Sequence, residues 1–334
     1  MSNAHIIIGD VRTALSSIPD GSVQTCITSP PYWGLRDYGH GEQIGLEQTP
    51  DDYVAEIVAV FREVWRVLAD DGTLWLNLGD SYAAMRDSKA TPDTLRNGDG
   101  TKVLTAANRN PNNLKNAGLK HKDLVGIPWR VAFALQSDGW YLRQDIIWHK
   151  PNPMPESVRD RCTKAHEYVF LLSKSGRYFF DADAIREPWE GEAAKAVAMG
   201  KKEVGQRGIN ASARRGLTDG QATQFKKQGH SGYFGADGKC LLNPLGANKR
   251  SVWKVATSPY KGAHFATFPP DLIKPCILAG SRPGDIVLDP FMGSGTTAAV
   301  ALQHGRQYLG CELNPAYQPL QDARIATSVG PLFA

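Results

Sequence analysis

Apolar residues recur every three or four positions between 51 and 69, in DDYVAEIVAVFREVWRVLA. This spacing lays Val54, Ile57, Val58, Phe61, Val64, Trp65 and Leu68 along one stripe of a helix. Asp51 and Asp52 open the stretch and Asp71-Gly72 close it, as helix boundaries require. Unbroken apolar runs read differently. HIII (5–8), VQTCIT (23–28) and GTLWLNLGD (72–80) are β-rich and stop at turn residues, as buried strands do. VRTALSSI between the first two has helical spacing. The same rules predict a helix near 127–137 and strands over 141–149 (YLRQDIIWH) and 167–173 (EYVFLLS). From 269 they predict helix PDLIKPCILAG, strand DIVLDPF, a glycine turn, helix TTAAVALQHG and strand QYLGCEL. Alternating strands and helices predict an α/β domain with a mostly parallel sheet and helices on both faces.

Two stretches break the pattern. Residues 84–124 are rich in Asn, Lys, Asp and Gly and predict a mobile loop. Residues 190–262 are Gly-rich, with 13 Lys+Arg against 5 Asp+Glu, whereas the rest of the chain carries 25 against 29. The positive charge is therefore concentrated in what reads as an inserted module. The expected organisation is 1–180, an insert over 181–262, and 263–334 completing the first part. Hydrophobic residues make up 42% and charged residues 22%, which is ordinary for a soluble globular protein. No apolar run reaches the roughly 18–20 residues that span a membrane. MSNAHIIIGD has no basic start before a long apolar stretch, so no secretory signal or membrane partner is expected. Five scattered cysteines without a CxxC pair point to reduced thiols, a cytoplasmic setting and no metal site. Cys26 reads as a small buried hydrophobe.

The run DIVLDPFMGSGTTAAVALQHGRQYLGCELN is a strand, a Gly293-x-Gly295 turn, a helix opening at Thr296-Thr297, and a strand ending in Glu312. Glycines let a ligand approach the backbone, and a helix N-terminus offers free N–H groups. An acidic side chain after the next strand can accept hydrogen bonds from ribose hydroxyls. A nucleoside cofactor fits this layout, and no Lys follows to make an NTPase loop. Asp289, just ahead of the turn, would repel a pyrophosphate but could bind the α-amino group of a methionine moiety.

TSPPYW (28–33) raises a second question. Pro30 and Pro31 fix φ and end any regular element, and Pro30 holds Ser29 extended. Two aromatic rings follow a stiff corner. SPPY together with DPFMGSGTT resembles the DNA amino-methyltransferases, which methylate N4 of cytosine or N6 of adenine. The catalytic motif comes first here, which resembles the circularly permuted β-group order. DIIWHKPNPMPESVRDRCTKAHEYVFLLSKS and HFATFPPDLIKPCILAGSRPGDIVLDPFMGSGTT resemble two further family blocks.

The resemblance implies a Rossmann-like S-adenosylmethionine-dependent fold, S-adenosylmethionine as cofactor, and double-stranded DNA as substrate. A restriction endonuclease acting separately is a possible partner, and monomer and homodimer stay open. A flipped base would stack on Tyr32 and on Trp33, a ring that by default belongs to the core. Ser29 Oγ and the Pro30 carbonyl would accept from its amine, and Pro31 would stiffen the corner. Phe268 and Phe291 would pack on the cofactor. Asp10 would contact the cofactor's adenine ring or cap the helix after it. Asp80 could line the pocket or start a turn, Thr267 would pack on the cofactor with Phe268, and His264 would take either a structural hydrogen bond or a ligand role. In the basic insert, Arg207, Arg214, Arg215, Lys226 and Lys227 would contact DNA.

Ser at the first motif position goes with cytosine in the family, so N4-cytosine is expected, with N6-adenine as the alternative. Two other readings are an NAD-binding oxidoreductase, which leaves SPPYW unexplained, and a binding module without catalysis, which the intact SPPY disfavours.

Overall fold

A computed structural model of the chain describes residues 5–35, 40–83, 118–206, 233, 240–257 and 268–328. Its strands are His5–Ile8 (β1), Val23–Thr28 (β2), Leu68–Leu78 (β3), Tyr141–His149 (β4), His166–Ser173 (β5), Val252–Lys254 (β6), Ile286–Asp289 (β7) and Gln307–Glu312 (β8). They form one sheet in the order β1-β8-β7-β2-β3-β5-β4-β6. Every pairing is parallel except those of β5 with β3 and β4. The α-helices are Val11–Ala14 (α1), Pro50–Val67 (α2), Ile127–Ser137 (α3), Gly191–Gln206 (α4), Pro270–Gly280 (α5), Thr296–Gln303 (α6) and Gln318–Ser328 (α7). This is the Rossmann-like methyltransferase fold expected from the sequence.

The chain folds as two compact units, Met1–Asp181 with Ser251–Ala334 and Ala182–Arg250. The second ends short of the expected residue 262 because β6 pairs with β4 in the sheet. Within it, Glu187 and Ala247 exchange backbone hydrogen bonds, and Trp189 donates to the Asn243 carbonyl at 2.8 Å.

The helix over 50–67 begins with a reciprocal cap. Thr49 Oγ1 accepts from the Asp52 amide, and Asp52 Oδ2 accepts from the Thr49 amide. Tyr53, Ile57, Val60, Phe61, Val64 and Val67 are buried, while Val54, Val58 and Trp65 are partly buried beside them. Each fully buried side chain of this size contributes about 1.5–3 kcal/mol. α2 packs on α1 and α3, and α6 packs on α5 and α7. In β3, Leu74, Leu76 and Leu78 join the core with α2 and α3. Trp75 points the other way, toward α5, where a Cβ on Gly280 would lie 2.9 Å from its Nε1. The sheet is thus covered on both faces.

The strand β3 starts at Leu68, directly after α2, because Val23 pairs with Leu68 before a bulge shifts the register to Thr25 and Thr73. Most of the 84–124 loop lies outside the described residues. From β7 the chain runs through α6 to β8 on one side, and from β2 through α2 to β3 on the other. Two adjacent parallel strands whose connections diverge open a crevice at their carboxyl ends. Ser29 follows one of these strands and Pro290 the other.

Candidate active site

Asp289 closes β7 and is buried at 1% exposure. Its carboxylate accepts from Thr28 Oγ1 (2.6 Å), Thr297 Oγ1 (2.6 Å) and the Phe291 amide (3.1 Å). Burial outweighs these bonds and pushes its pKa up to about 6. Gly293 (φ +54) and Gly295 (φ +80) turn the chain through the left-handed region that favours glycine. The Gly293 amide donates to Glu312 Oε2 at 2.8 Å, and the Asn314 amide donates to Glu312 Oε1 at 2.8 Å. Burial raises Glu312 to about 7.

The helix α7, which the sequence reading missed, grips this turn from behind. Gln321 is fully buried and donates Nε2 to the Gly293 carbonyl at 2.7 Å. Arg324 donates to Ser294 Oγ at 2.7 Å and to Thr296 Oγ1. The first strand closes the far side, since the Gly9 amide donates to the Glu312 carbonyl at 2.8 Å. Asp10 caps α1 through the Arg12 amide at 2.8 Å, and the Arg12 guanidinium holds its carboxyl below the usual range. The capping reading of Asp10 is therefore met, and the residue also lines the cleft.

The SPPY corner is pinned from three sides. Tyr53 Oη donates to the Pro31 carbonyl at 2.9 Å, the Gly34 amide donates to the Gly45 carbonyl at 2.7 Å, and Trp33 Nε1 donates to the Glu47 carbonyl at 3.0 Å. Trp33 is 3% exposed and belongs to the core, which corrects the expectation that it offers a face to a base. The Tyr32 ring lies on the backbone of Gly79, where a Cβ would come within 2.5 Å of it. Tyr32 Oη sits 3.2 Å from Ser29 Oγ and donates to Glu167 Oε2 at 2.9 Å. Asn77 Nδ2 also reaches Glu167 Oε2, at 3.2 Å, and Glu167 is paired with Lys150. Desolvation raises the Tyr32 phenol well above its ordinary range, so it stays protonated.

Both halves line a single cleft of about 700 Å³. Ser29, Pro30, Pro31, Tyr32, Asn77, Trp148, Lys150 and Glu167 line it. Asp10, Phe268, Asp289, Phe291, Gly293, Thr296 and Glu312 line it too. Gly295 and Thr297 are not in its lining. Gly295 abuts Gln321, and the Thr297 hydroxyl is spent on Asp289, so these two shape the turn from within. Asp80 accepts from the Gly126 (3.0 Å) and Ile127 (3.1 Å) amides and starts α3. Arg207, Arg214, Arg215, Lys226, Lys227, His264 and Thr267 lie outside the described residues.

Asn77, Lys150 and Glu167 were not singled out from the sequence. Polar residues at the ends of otherwise apolar strands were the available signal. Pro275-Cys276, the type of pair a thiol nucleophile would use, sits inside α5, with Cys276 at 1% exposure and its Sγ directed to the Leu272 carbonyl.

A family model described as a DNA methylase matches residues 23–322. The chain is 46% identical over 317 residues to the type II methyltransferase M.XycI of Xanthomonas campestris pv. cyanopsidis, covering 95% of this chain and 86% of that protein. It resembles the solved PvuII DNA methyltransferase, described as cytosine-N4-specific, at a TM-score of 0.59 and 20% identity, covering 97% and 86% of the two chains. It also resembles TTHA0409 of Thermus thermophilus, described as a putative DNA modification methylase and solved with S-adenosyl-L-methionine, at 0.56 and 24% identity, covering 98% and 95%.

Proposed function

The chain belongs to the N6/N4 DNA methylase family, and from that premise we propose that it moves a methyl group from S-adenosylmethionine to the N4 amine of cytosine in double-stranded DNA. The observation that carries this reading is one cleft joining the Ser29–Tyr32 corner to the glycine turn.

The cofactor end fits S-adenosylmethionine. Asp289 and Glu312 are buried carboxylates pushed toward neutrality, and a ligand bringing positive charge relieves them. S-adenosylmethionine carries a sulfonium and an ammonium, whereas a dinucleotide would set a pyrophosphate against both carboxylates. Asp10, Phe268, Phe291, Gly293 and Glu312 would hold it. When bound, it supplies an electrophilic methyl group.

At the other end, Ser29 Oγ and the Pro30 carbonyl accept from the exocyclic amine, and Tyr32 flanks the base. A base reaches such a pocket only when turned out of the duplex. Bonds accepted from the amine draw its lone pair out of conjugation with the ring. Rigid positioning in a dry cleft then contributes much of the acceleration. A neutral hydroxyl suffices for a cytosine amine, which favours N4-cytosine. Type II relatives support a modification role beside a separate endonuclease. The expected insert over 181–262, which takes in the Ala182–Arg250 unit and the basic segment 190–262, would serve target recognition.

Mass spectrometry of nucleosides from DNA incubated with protein and S-adenosylmethionine tests the reading. N4-methylcytosine is the expected product. N6-methyladenine would replace the base assignment and keep the mechanism.

A further inference from the structure

The hydroxyls of the SPPY corner form a directed chain. Ser29 Oγ donates to Tyr32 Oη at 3.2 Å, and Tyr32 Oη donates to Glu167 Oε2 at 2.9 Å. Asn77 Oδ1, at 3.2 Å, is a more distant and neutral second acceptor. Glu167 is fixed by the Lys150 ammonium and by Asn77 Nδ2, and Lys150 lies 4.3 Å over the Trp148 ring. The Lys150 and Glu167 side chains are 18% and 15% exposed, so the pair is largely shielded. Lys150 is the sole Lys or Arg among the described residues of the cleft lining.

Direction is what matters in this chain. A serine has a single hydroxyl hydrogen, and here it is committed to Tyr32. Ser29 therefore shows only lone pairs to whatever enters the cleft, and meets an amine as an acceptor.

Amine methylation leaves a proton to be removed. The N–CH₃ bond forms while the S–CH₃ bond breaks with its electron pair staying on sulfur, and the amine nitrogen is left cationic. We propose that Glu167 is the final acceptor of the surplus proton, reached through Ser29 and Tyr32. The nitrogen's proton passes to Ser29 Oγ, the Ser29 hydrogen to Tyr32 Oη, and the Tyr32 hydrogen to Glu167 Oε2. Both hydroxyls are regenerated, the base amine is neutral, and one carboxylic acid is formed, which exchanges with water before the next turnover. The buried phenol is a conduit and not the base, since desolvation keeps it protonated. The inference rests on Ser29 receiving the amine, as proposed above.

Tyr32→Phe keeps the ring and removes the conduit. Glu167→Gln keeps the volume and removes the base. Single-turnover transfer of tritiated methyl from S-adenosylmethionine to amplified, hence unmethylated, genomic DNA gives the rates. Anisotropy of a labelled fragment of that DNA, without cofactor, gives binding. Each variant is expected to transfer roughly 10²-fold more slowly, with DNA binding unchanged; Tm should hold in Tyr32→Phe and fall in Glu167→Gln, which leaves the shielded Lys150 ammonium unpaired. The double variant is expected to be no slower than either single one, since the residues act as a unit. Multiplying losses, a wild-type rate in Tyr32→Phe, or a loss of DNA binding that matches the loss of rate would each overturn the relay. Wild-type protein that methylates no DNA would instead overturn the functional reading on which the relay depends.

Discussion

Thr28 and Asp289 stand 261 residues apart in the chain, yet the threonine hydroxyl donates to the carboxylate at 2.6 Å. The bond ties the strand that leads into SPPY to the strand that leads into the glycine turn. Thr28→Val removes it at constant shape and leaves a buried carboxylate with one donor fewer. The expected cost is about 1–3 kcal/mol, read from urea unfolding, with a further rise in the Asp289 pKa. An unchanged unfolding midpoint would count against the bond.

Gly79→Ala is expected to impair catalysis more than folding. The new Cβ would press within 2.5 Å of the Tyr32 ring, whose hydroxyl is held by Glu167 and cannot swing aside freely. The measurement is methyl-transfer rate beside Tm. A variant with normal rate would show that the ring has room to move.

Glu312 makes ligand-free stability depend on pH. Its pKa of about 7 lies above its ordinary 4.5, so the folded state takes up this proton before the unfolded state does. The contribution is therefore present at low pH and lost as pH rises through about 7. His166 and His304, lowered by burial, act in the opposite sense. Comparison with Glu312→Gln cancels them: the wild type should gain Tm from pH 8 to pH 6 relative to the variant (window of about 2 units). S-adenosylmethionine affinity should run the other way and rise with pH, because the ionised carboxylate suits a cation. Calorimetric titration at the two pH values reads this.

Tyr32→Ala removes the ring as well as the hydroxyl. Base stacking should weaken by about 1–3 kcal/mol, seen as looser DNA binding that Tyr32→Phe does not share. Equal binding by both variants would remove stacking from the role of Tyr32.

The sequence made some of this legible and not the rest, for physical reasons. The stripe of α2 and the strand-turn-helix around Gly293 are local, set by spacing and turn chemistry, and they appear where expected. SPPY was readable because two prolines dictate a corner. The Glu167–Lys150 pair was not, because it depends on β5 running antiparallel beside β4, a pairing that no local pattern encodes. Trp33 was misread because a corner sends adjacent rings to opposite sides: Tyr32 to the cleft, Trp33 to the core. Asp80 resolves into a helix start and Asp10 into a cap that also faces the cleft. The helix α7 was passed over because its single buried residue is a glutamine, whose role is a bond to a turn and not apolar packing.

The glycine-turn wall of the cleft is assembled from opposite ends of the numbering: β1 lies on β8, and Gln321 grips Gly293. The SPPY corner, by contrast, is held by neighbours close to it in the chain, Tyr53 on the Pro31 carbonyl and Gly45 on the Gly34 amide. A chain cut ahead of Gln321 would keep the SPPY corner and lose the side chain that holds the Gly293 carbonyl from behind.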